Sequence, residues 1–269
     1  MYRYIMKKEN KILVFIPMYN CEKQIIRVID QLTGEIRFYI DEVIIVNNCS
    51  TDNGEQVVLE KLKKLNTDLS IKLLRNNENY GLGGSHKVGF NYAIENKFDY
   101  VIILHGDDQG NIIDFIPLLK NGVYKEYDCC LGARFMKKSR ISGYSKFRIF
   151  GNKIYNMIFS IILRKRIYDL GSGLNCYKIE ILKNNYYYKF SDDLTFNCYM
   201  LLATNCYRQN IKFFPISWKE EDQISNVKII SQALNTLLLI VSYFFLRSKY
   251  LNSEHRKRKI ERYIARERK

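Results

Sequence analysis

The sequence predicts an α/β protein with one mainly parallel central sheet flanked by helices. Three observations predict it. Short apolar runs alternate with stretches of helical periodicity through the first 135 residues. A polar segment rich in Gly, Asn or Asp follows each run. Of the 269 residues, 47% are hydrophobic, enough for one large core with an appendage.

The elements can be justified in order. KILVFIP (11–17) is apolar throughout and predicts a buried strand. CEKQIIRVIDQL (21–32) predicts a helix with Ile25, Ile26, Ile29 and Leu32 on one face. EVIIVN (42–47) is a second strand, and STDNGEQVVLEKLKKL opens on capping residues before a second helix. IKLLR (71–75), the helix GSHKVGFNYAIEN (84–96), YVIIL (100–104) and the strand within YDCCLGAR (127–134) complete the alternation. Beyond residue 140 come an apolar helix in FRIFGNKIYNMIFSIILRK and a Gly-rich turn at 169–178. A helix at DDLTFNCYMLLATNCYRQ and a strand at IKFFPISW (211–218) follow.

In such sheets ligands bind beyond the carboxyl ends of the strands. The fold therefore gathers PMYNCE, NNCSTDNG, NENYGLGG, HGDDQGN and GARF along one rim.

The formal net charge is +15, which favours anionic partners. Much of the charge lies in RSKYLNSEHRKRKIERYIARERK at the C-terminus. Nucleic acid is not the expected partner, because this tail lacks the aromatic interleaving of a stacking platform. The seven Cys form no C-x-x-C pair and only three His accompany them, so a zinc site is not expected. Reduced, mostly buried thiols fit a cytoplasmic protein. MYRYIMKKENK has no signal-peptide pattern.

Each polar segment has two readings. Asn20 caps a helix or contacts a ligand. The Asn, Ser and Asp residues of 47–54 contact a base or ribose, or cap the next helix. The glycines of NYGLGGSHKVG follow the third strand, so they do not make a dinucleotide fingerprint; they permit close backbone approach at a helix start, with diphosphate a candidate. In HGDDQG, clustered carboxylate and amide oxygens suit Mg²⁺ or Mn²⁺. The other reading there is an Asp107 or Asp108 cap.

Taken in order, these motifs resemble family 2 glycosyltransferases of the GT-A fold. The resemblance covers residues 11–230 and is nearest the dolichol-phosphate mannosyltransferase and polyprenyl-phosphate glycosyltransferase branch. It implies a GT-A (Rossmann-like) domain over 1–225, with a nucleotide-sugar half to about 135 and an acceptor half from 136. A C-terminal amphipathic helical, basic extension follows at 226–269.

The family's P-x-Y-N-E appears as Pro17, Tyr19, Asn20, Cys21 and Glu22. Its V-D-D-G-S-T-D appears as Val46 to Asp52, with Asn47 and Asn48 where two acids stand. The donor-binding set that follows is Pro17, Tyr19, Asn20, Glu22, Asn48, Ser50 and Asp52. Asn79, Gly81 and Gly84 join it from the third loop, with Asp107, Arg134 and Arg148. The family's L-D-A-D-x-Q aligns with Leu104 to Gln109. Asp107, Gln109 and His105 become metal candidates, His105 standing where an acid is expected. The ion would then be held only with the donor diphosphate present. D-x-x-S-G corresponds to Asp169 to Gly173, and no Q-x-x-R-W occurs, which argues against processive polysaccharide synthases.

The implied reaction is metal-assisted, inverting transfer from a nucleotide-diphosphate sugar. A metal ion held by Asp107 would offset charge on the leaving nucleotide, and Arg134, with Arg148, would add positive charge. The acceptor poses a fork. A glycan hydroxyl must lose a proton, and Asp192 or Asp193 is the candidate base, with a helix cap as the other reading. A polyprenyl phosphate is already ionised.

The C-terminal LLLIVSYFFL (237–246) is too short to span a bilayer. With the polar positions Lys228, Ser231, Gln232 and Asn235 before it and Ile260, Tyr263 and Ile264 after it, the segment reads as a peripheral anchor on the inner face of an anionic membrane. The other reading is a core helix with a solvated tail. A homo-oligomer and a non-catalytic binding protein on a decayed GT-A fold are also compatible with the sequence.

Overall fold

A computed structural model describes residues 9–222 and 229–269. The N-terminal reading at 1–8 and Lys228 lie outside the described residues. The elements run β1 (Ile12–Met18), α1 (Ile25–Gln31), β2 (Glu42–Asn47), α2 (Gly54–Lys64), β3 (Ser70–Asn76), α3 (Gly81–Glu95) and β4 (Tyr100–Leu104). Then come α4 (Ile116–Lys120), β5 (Cys129–Ala133), β6 (Arg140–Ser142), α5 (Lys146–Leu163) and β7 (Leu174–Lys178). The chain ends with α6 (Phe196–Cys206), β8 (Ile211–Pro215), β9 (Ser217–Lys219), α7 (Ile229–Leu246), α8 (Ser248–Leu251) and β10 (Ala265–Arg268).

The main sheet has the order β10-β3-β2-β1-β4-β7-β5-β8. β3, β2, β1 and β4 are mutually parallel, β1 pairing Phe15 with Ile44 on one side and Ile103 on the other. Every residue of β1 and β4 is buried, so helices cover both faces and the strands can be continuously apolar. One core lies under α3, α5 and α6, the other under α1, α2 and α4. Gly89 marks the tightest helix-to-sheet approach: a Cβ there would meet the Phe15 ring at 2.7 Å.

The expected α/β architecture is present, with four differences. First, α3 begins at Gly81 rather than 84, because the Gly-rich stretch forms its first turn. Second, the turn expected at 169–178 contains β7, an antiparallel strand between β4 and β5. Third, the strand expected over 211–218 is two: β8 in the main sheet and β9, which pairs with β6 beside it.

The fourth concerns the C-terminus, expected to be helical throughout 226–269. It is helical only to Leu251. Residues 265–268 form β10, an antiparallel strand on the free edge of β3. Backbone pairing with an open edge needs no apolar side chains, so a run as charged as ARER can do it. Arg268 also reaches Glu55 at 2.9 Å. Two members of the apolar stripe expected to face lipid are turned inward, Tyr263 at 4% exposed and Ile260 against the core that holds Leu239, Ile240 and Tyr243 of α7, while Ile264 stays exposed.

Candidate active site

The carboxyl ends of β1, β2 and β4 open where the strand order reverses, and the loops there are stitched to one another. Asn20 has φ +52 and accepts from the Thr51 backbone at 2.8 Å, while Ser50 Oγ accepts from Asn20 N at 3.0 Å. Asp52 accepts from Glu22 N at 2.9 Å, and Glu22 accepts from Asn53 N at 3.1 Å. This reciprocal pair fixes α1 against α2. Tyr19 and Asn20 are both exposed.

Asn47 and Asn48 are explained by their partners. Asn47 is fully buried; its Nδ2 donates to Glu55 at 2.6 Å and its Oδ1 accepts from Ser50 N. An Asp there would set two carboxylates together. Asn48 accepts from Tyr80 N and Asn76 Nδ2, both at 2.9 Å, and donates to Asn79 Oδ1 at 2.8 Å. Asn79 Oδ1 also accepts from Gly81 N, so it needs an N–H from position 48, which an Asp could not give. Asn48 and Asn79 thus bind β2 to the start of α3.

The glycines there serve packing. Gly81 has φ +72, and a Cβ on it or on Gly83 would collide with the Asp192 or Ser191 carbonyl oxygen. Gly83 N donates to Asp192 O at 2.8 Å. A Cβ on Gly84 would collide with the Tyr80 side chain. The backbone that approaches this helix start is the protein's own 191–192 segment, in place of the expected diphosphate.

The loop after β4 is held from beneath. Gly106 N donates to Pro17 O at 3.0 Å. Asp108, with φ +57 and 3% exposed, receives Arg27 at 2.6 Å and Gln31 at 2.9 Å, so it is a structural anchor. That leaves Asp107 and Gln109 half-buried at the rim. Burial pushes the Asp107 carboxyl up to about 6; Gln109 N–H pulls it down, and the negative charges of Asp108 and Glu220 push it further up. Asp107 and Asp52 also help burial raise the Cys21 thiol to about 12, so the first, second and fourth loops meet around Cys21.

Glu220, just after β9, completes this cluster and was missed from sequence. Gln109 Nε2 donates to it at 3.2 Å, and Arg148 from α5 pairs with it at 2.7 Å. The run WKEED was the only signal, and its register with Gln109 depends on β9, which places Lys219 N on Gln109 O.

His105 does not join the cluster. Its Nε2 is buried without a partner, its ring lies 5.8 Å from His86, and a Cβ on Gly173 would touch it. Burial, and then the charge of Arg134, push its pKa down to about 4. The expectation of His105 as a metal ligand is corrected: the imidazole faces the core.

Arg134 is 9% exposed and bidentate to Asp169, at 2.8 and 2.7 Å, with its backbone N–H on the same carboxylate. Its remaining edge faces Tyr144, and Trp218 lies under its plane. It is a buried cross-brace between β5 and the 169–173 turn more than a free phosphate ligand. Asp193 accepts from Thr195 N at 2.9 Å and from its hydroxyl at 2.5 Å, a local turn just before α6, whose N-cap is Thr195. Asp192 receives Lys87 Nζ at 2.7 Å and Tyr263 OH at 2.8 Å. Lys87 is fully buried, and its other bonds go to Phe190 O and Tyr263. Burial pushes its pKa down to about 8.

The donor set fits a hard divalent ion. Among the described residues no three His, Cys, Asp or Glu side chains form a metal cluster. One or two carboxylates with an amide oxygen match an ion that takes its other ligands from water and substrate phosphates.

The family described as Glycosyl transferase family 2 matches residues 13–185. The chain belongs to this family. It is a glycosyltransferase. The uncharacterized protein MJ0544 of Methanocaldococcus jannaschii is 26% identical over 238 residues, covering 87% of this chain and 99% of that protein. The undecaprenyl-phosphate 4-deoxy-4-formamido-L-arabinose transferase of Yersinia pestis is 26% identical over 175 residues, 64% of this chain and 50% of that protein. Glucosyl-3-phosphoglycerate synthase from Mycobacterium tuberculosis, in complex with uridine diphosphate, superposes with a TM-score of 0.64 at 14% identity, covering 88% and 81% of the two chains. Its complex with Mn²⁺, uridine diphosphate and glucosyl-3-phosphoglycerate gives 0.61 at 14% identity, covering 88% and 80%.

Proposed function

We propose that this glycosyltransferase moves a sugar from a nucleotide-diphosphate donor to a polyprenyl phosphate, with inversion and with Mg²⁺ or Mn²⁺ bound. The observation that carries the donor half is the convergence of Asp107, Gln109, Glu220 and Arg148 at the carboxyl end of β4. Asp107 and Gln109 would hold the ion, with donor phosphate oxygens completing its shell. The ion would offset charge growing on the leaving nucleotide. Arg148, aimed by Glu220, adds positive charge beside it. Tyr19, Asn20, Ser50 and Asp52 form the rim on which the nucleoside lies, with Pro17 buried at the end of β1.

The acceptor reading follows from Asp192 and Asp193. Both carboxylates are engaged, one by Lys87 and Tyr263, the other by Thr195. Asp192 is thereby a poor base for a sugar hydroxyl, and Asp193 keeps only its Oδ2 clear of the Thr195 contacts. An acceptor that arrives ionised needs no base. The undecaprenyl-phosphate transferase among the relatives supports the same choice. The decayed, non-catalytic alternative loses the part of its motive that rests on Asn47 and Asn48, which answer to Glu55 and Asn79; His105 in place of an acid is the part that remains.

The test is a panel of nucleotide sugars with Mn²⁺, assayed for transfer to undecaprenyl phosphate and to glycan acceptors. Transfer to the phosphate that survives Asp193→Ala within about tenfold is expected. A fall beyond about a hundredfold in a folded variant would restore the carboxylate-base reading.

A further inference from the structure

Twelve of the eighteen large hydrophobic side chains exposed among the described residues sit on only two helices, α5 and α7. On α5 they recur at helical spacing: Phe147, Phe150, Ile154, Met157 and Ile161, with Phe147 77% exposed. On α7 the stripe runs from Leu234 through Leu238 and Val241 to Phe244 and Phe245. The two helices are joined where Tyr155 OH donates to Ala233 O at 2.8 Å, and their opposite sides share one core.

Such a surface on a monomer marks something that covers it. Neither helix contains an acidic residue. Exposed cations flank both stripes: Lys146 and Lys153 on α5, Arg164 and Lys165 just beyond it, and Arg247 and Lys249 after α7. A second copy of the chain, meeting this face about a two-fold axis, would bring like charges together. An anionic bilayer answers both features, taking the apolar side chains among its acyl chains and the cations at its headgroups. No helix of the described residues is long and apolar enough to cross a membrane. The stripe also begins beside Arg148, the residue that reaches Glu220.

We infer that α5 and α7 form a single docking face for the surface of an anionic lipid bilayer, with α5 leading from that surface to the active site. The inference rests on the polyprenyl-phosphate reading for its purpose, not for its geometry. It keeps the 237–246 run, now part of α7, as a membrane contact, adds α5 to it, and leaves out residues 265–268, which are folded onto β3.

The full chain is sedimented with vesicles of equal parts phosphatidylcholine and phosphatidylglycerol, and with phosphatidylcholine alone. Binding to the mixed vesicles, weakened by salt, is expected. The pairs Phe147→Ser with Phe150→Ser, and Phe244→Ser with Phe245→Ser, should each lower it by about tenfold or more. Phe38→Ser, at an exposed ring elsewhere, should not. If the serine variants fold poorly, Lys153→Glu with Lys249→Glu should weaken binding to the mixed vesicles and leave the neutral ones unchanged. Unchanged binding in both phenylalanine pairs would overturn the inference. So would a wild-type dimer, without vesicles, that those substitutions dissolve. Donor-induced thermal stabilisation is read in the same samples. It should survive in all variants, so loss of docking and loss of donor binding are separable.

Discussion

The molecule holds two carboxylate clusters built on opposite plans. Around Asp107, burial and the charges of Asp108 and Glu220 destabilise the anion. Around Asp192, a buried ammonium and a buried phenol hold it. The first arrangement would gain from a cation bound together with the proposed donor. The second is closed already and ties α3, the start of α6 and the C-terminal tail into one unit. Both were candidate catalytic acids in the sequence; the surroundings make Asp192 structural and leave Asp107 as the candidate for the proposed ion.

That division can be broken by substitution. The largest expected effect is Asp192→Ala. It leaves the Lys87 ammonium buried without its counter-ion and should cost about 3–5 kcal/mol in urea unfolding. A loss under about 1 kcal/mol would show that the pair is not structural. By contrast, Asp107→Asn removes a buried anion and should raise stability at neutral pH by up to about 2–3 kcal/mol.

The next effect is on acid stability. His86 and His105 are buried and neutral, with pKa values near 3 and 4, the first lowered by burial and then by His105, the second by burial and then by Arg134. Unfolded, each would take up a proton near pH 6.5. The unfolded chain therefore binds more protons, and stability falls as pH drops from 6.5 towards 4, by about 1.4 kcal/mol per unit for each imidazole. Asp107 works the other way. Its folded pKa, about 6, lies above its unfolded value, so its contribution is present at low pH and lost as pH rises through 6. Asp107→Asn removes that offset and should steepen the acid loss by up to about 2–3 kcal/mol at pH 4. Parallel curves for wild type and variant would contradict the assigned shift.

The smallest effect is at the tail. Tyr263→Phe keeps the ring beside Tyr80 and removes its hydrogen bonds to Asp192, and should cost about 1–3 kcal/mol. No measurable cost would mean that water replaces the phenol.

The same contrast shows what the sequence could carry. β1 to β4 and their helices were legible because apolar runs and helical periods are local. Rim residues such as Asn20, Asp52 and Asp107 were legible because each follows a strand. β7 was not, since five residues with Asn, Cys and Lys become a strand only between β4 and β5. β10 was not, because its cause is the free edge of β3 rather than its own side chains. Glu220 came to light only with β9, and the inward turn of His105 only with Gly173 and His86 packed against it. Asp192 and Asp193 could be named as a pair but not told apart, because Lys87 and Tyr263 lie 105 and 71 residues away.

The central claim is that Asp107 anchors a divalent ion together with a nucleotide-sugar diphosphate. It is tested most directly by thermal melting of wild type and Asp107→Asn with a nucleotide-sugar panel, with and without Mn²⁺. The account predicts that wild type is stabilised by one donor only when Mn²⁺ is present, and that Asp107→Asn, folded and at least as stable alone, shows no such rise. An equal rise in the variant would contradict it.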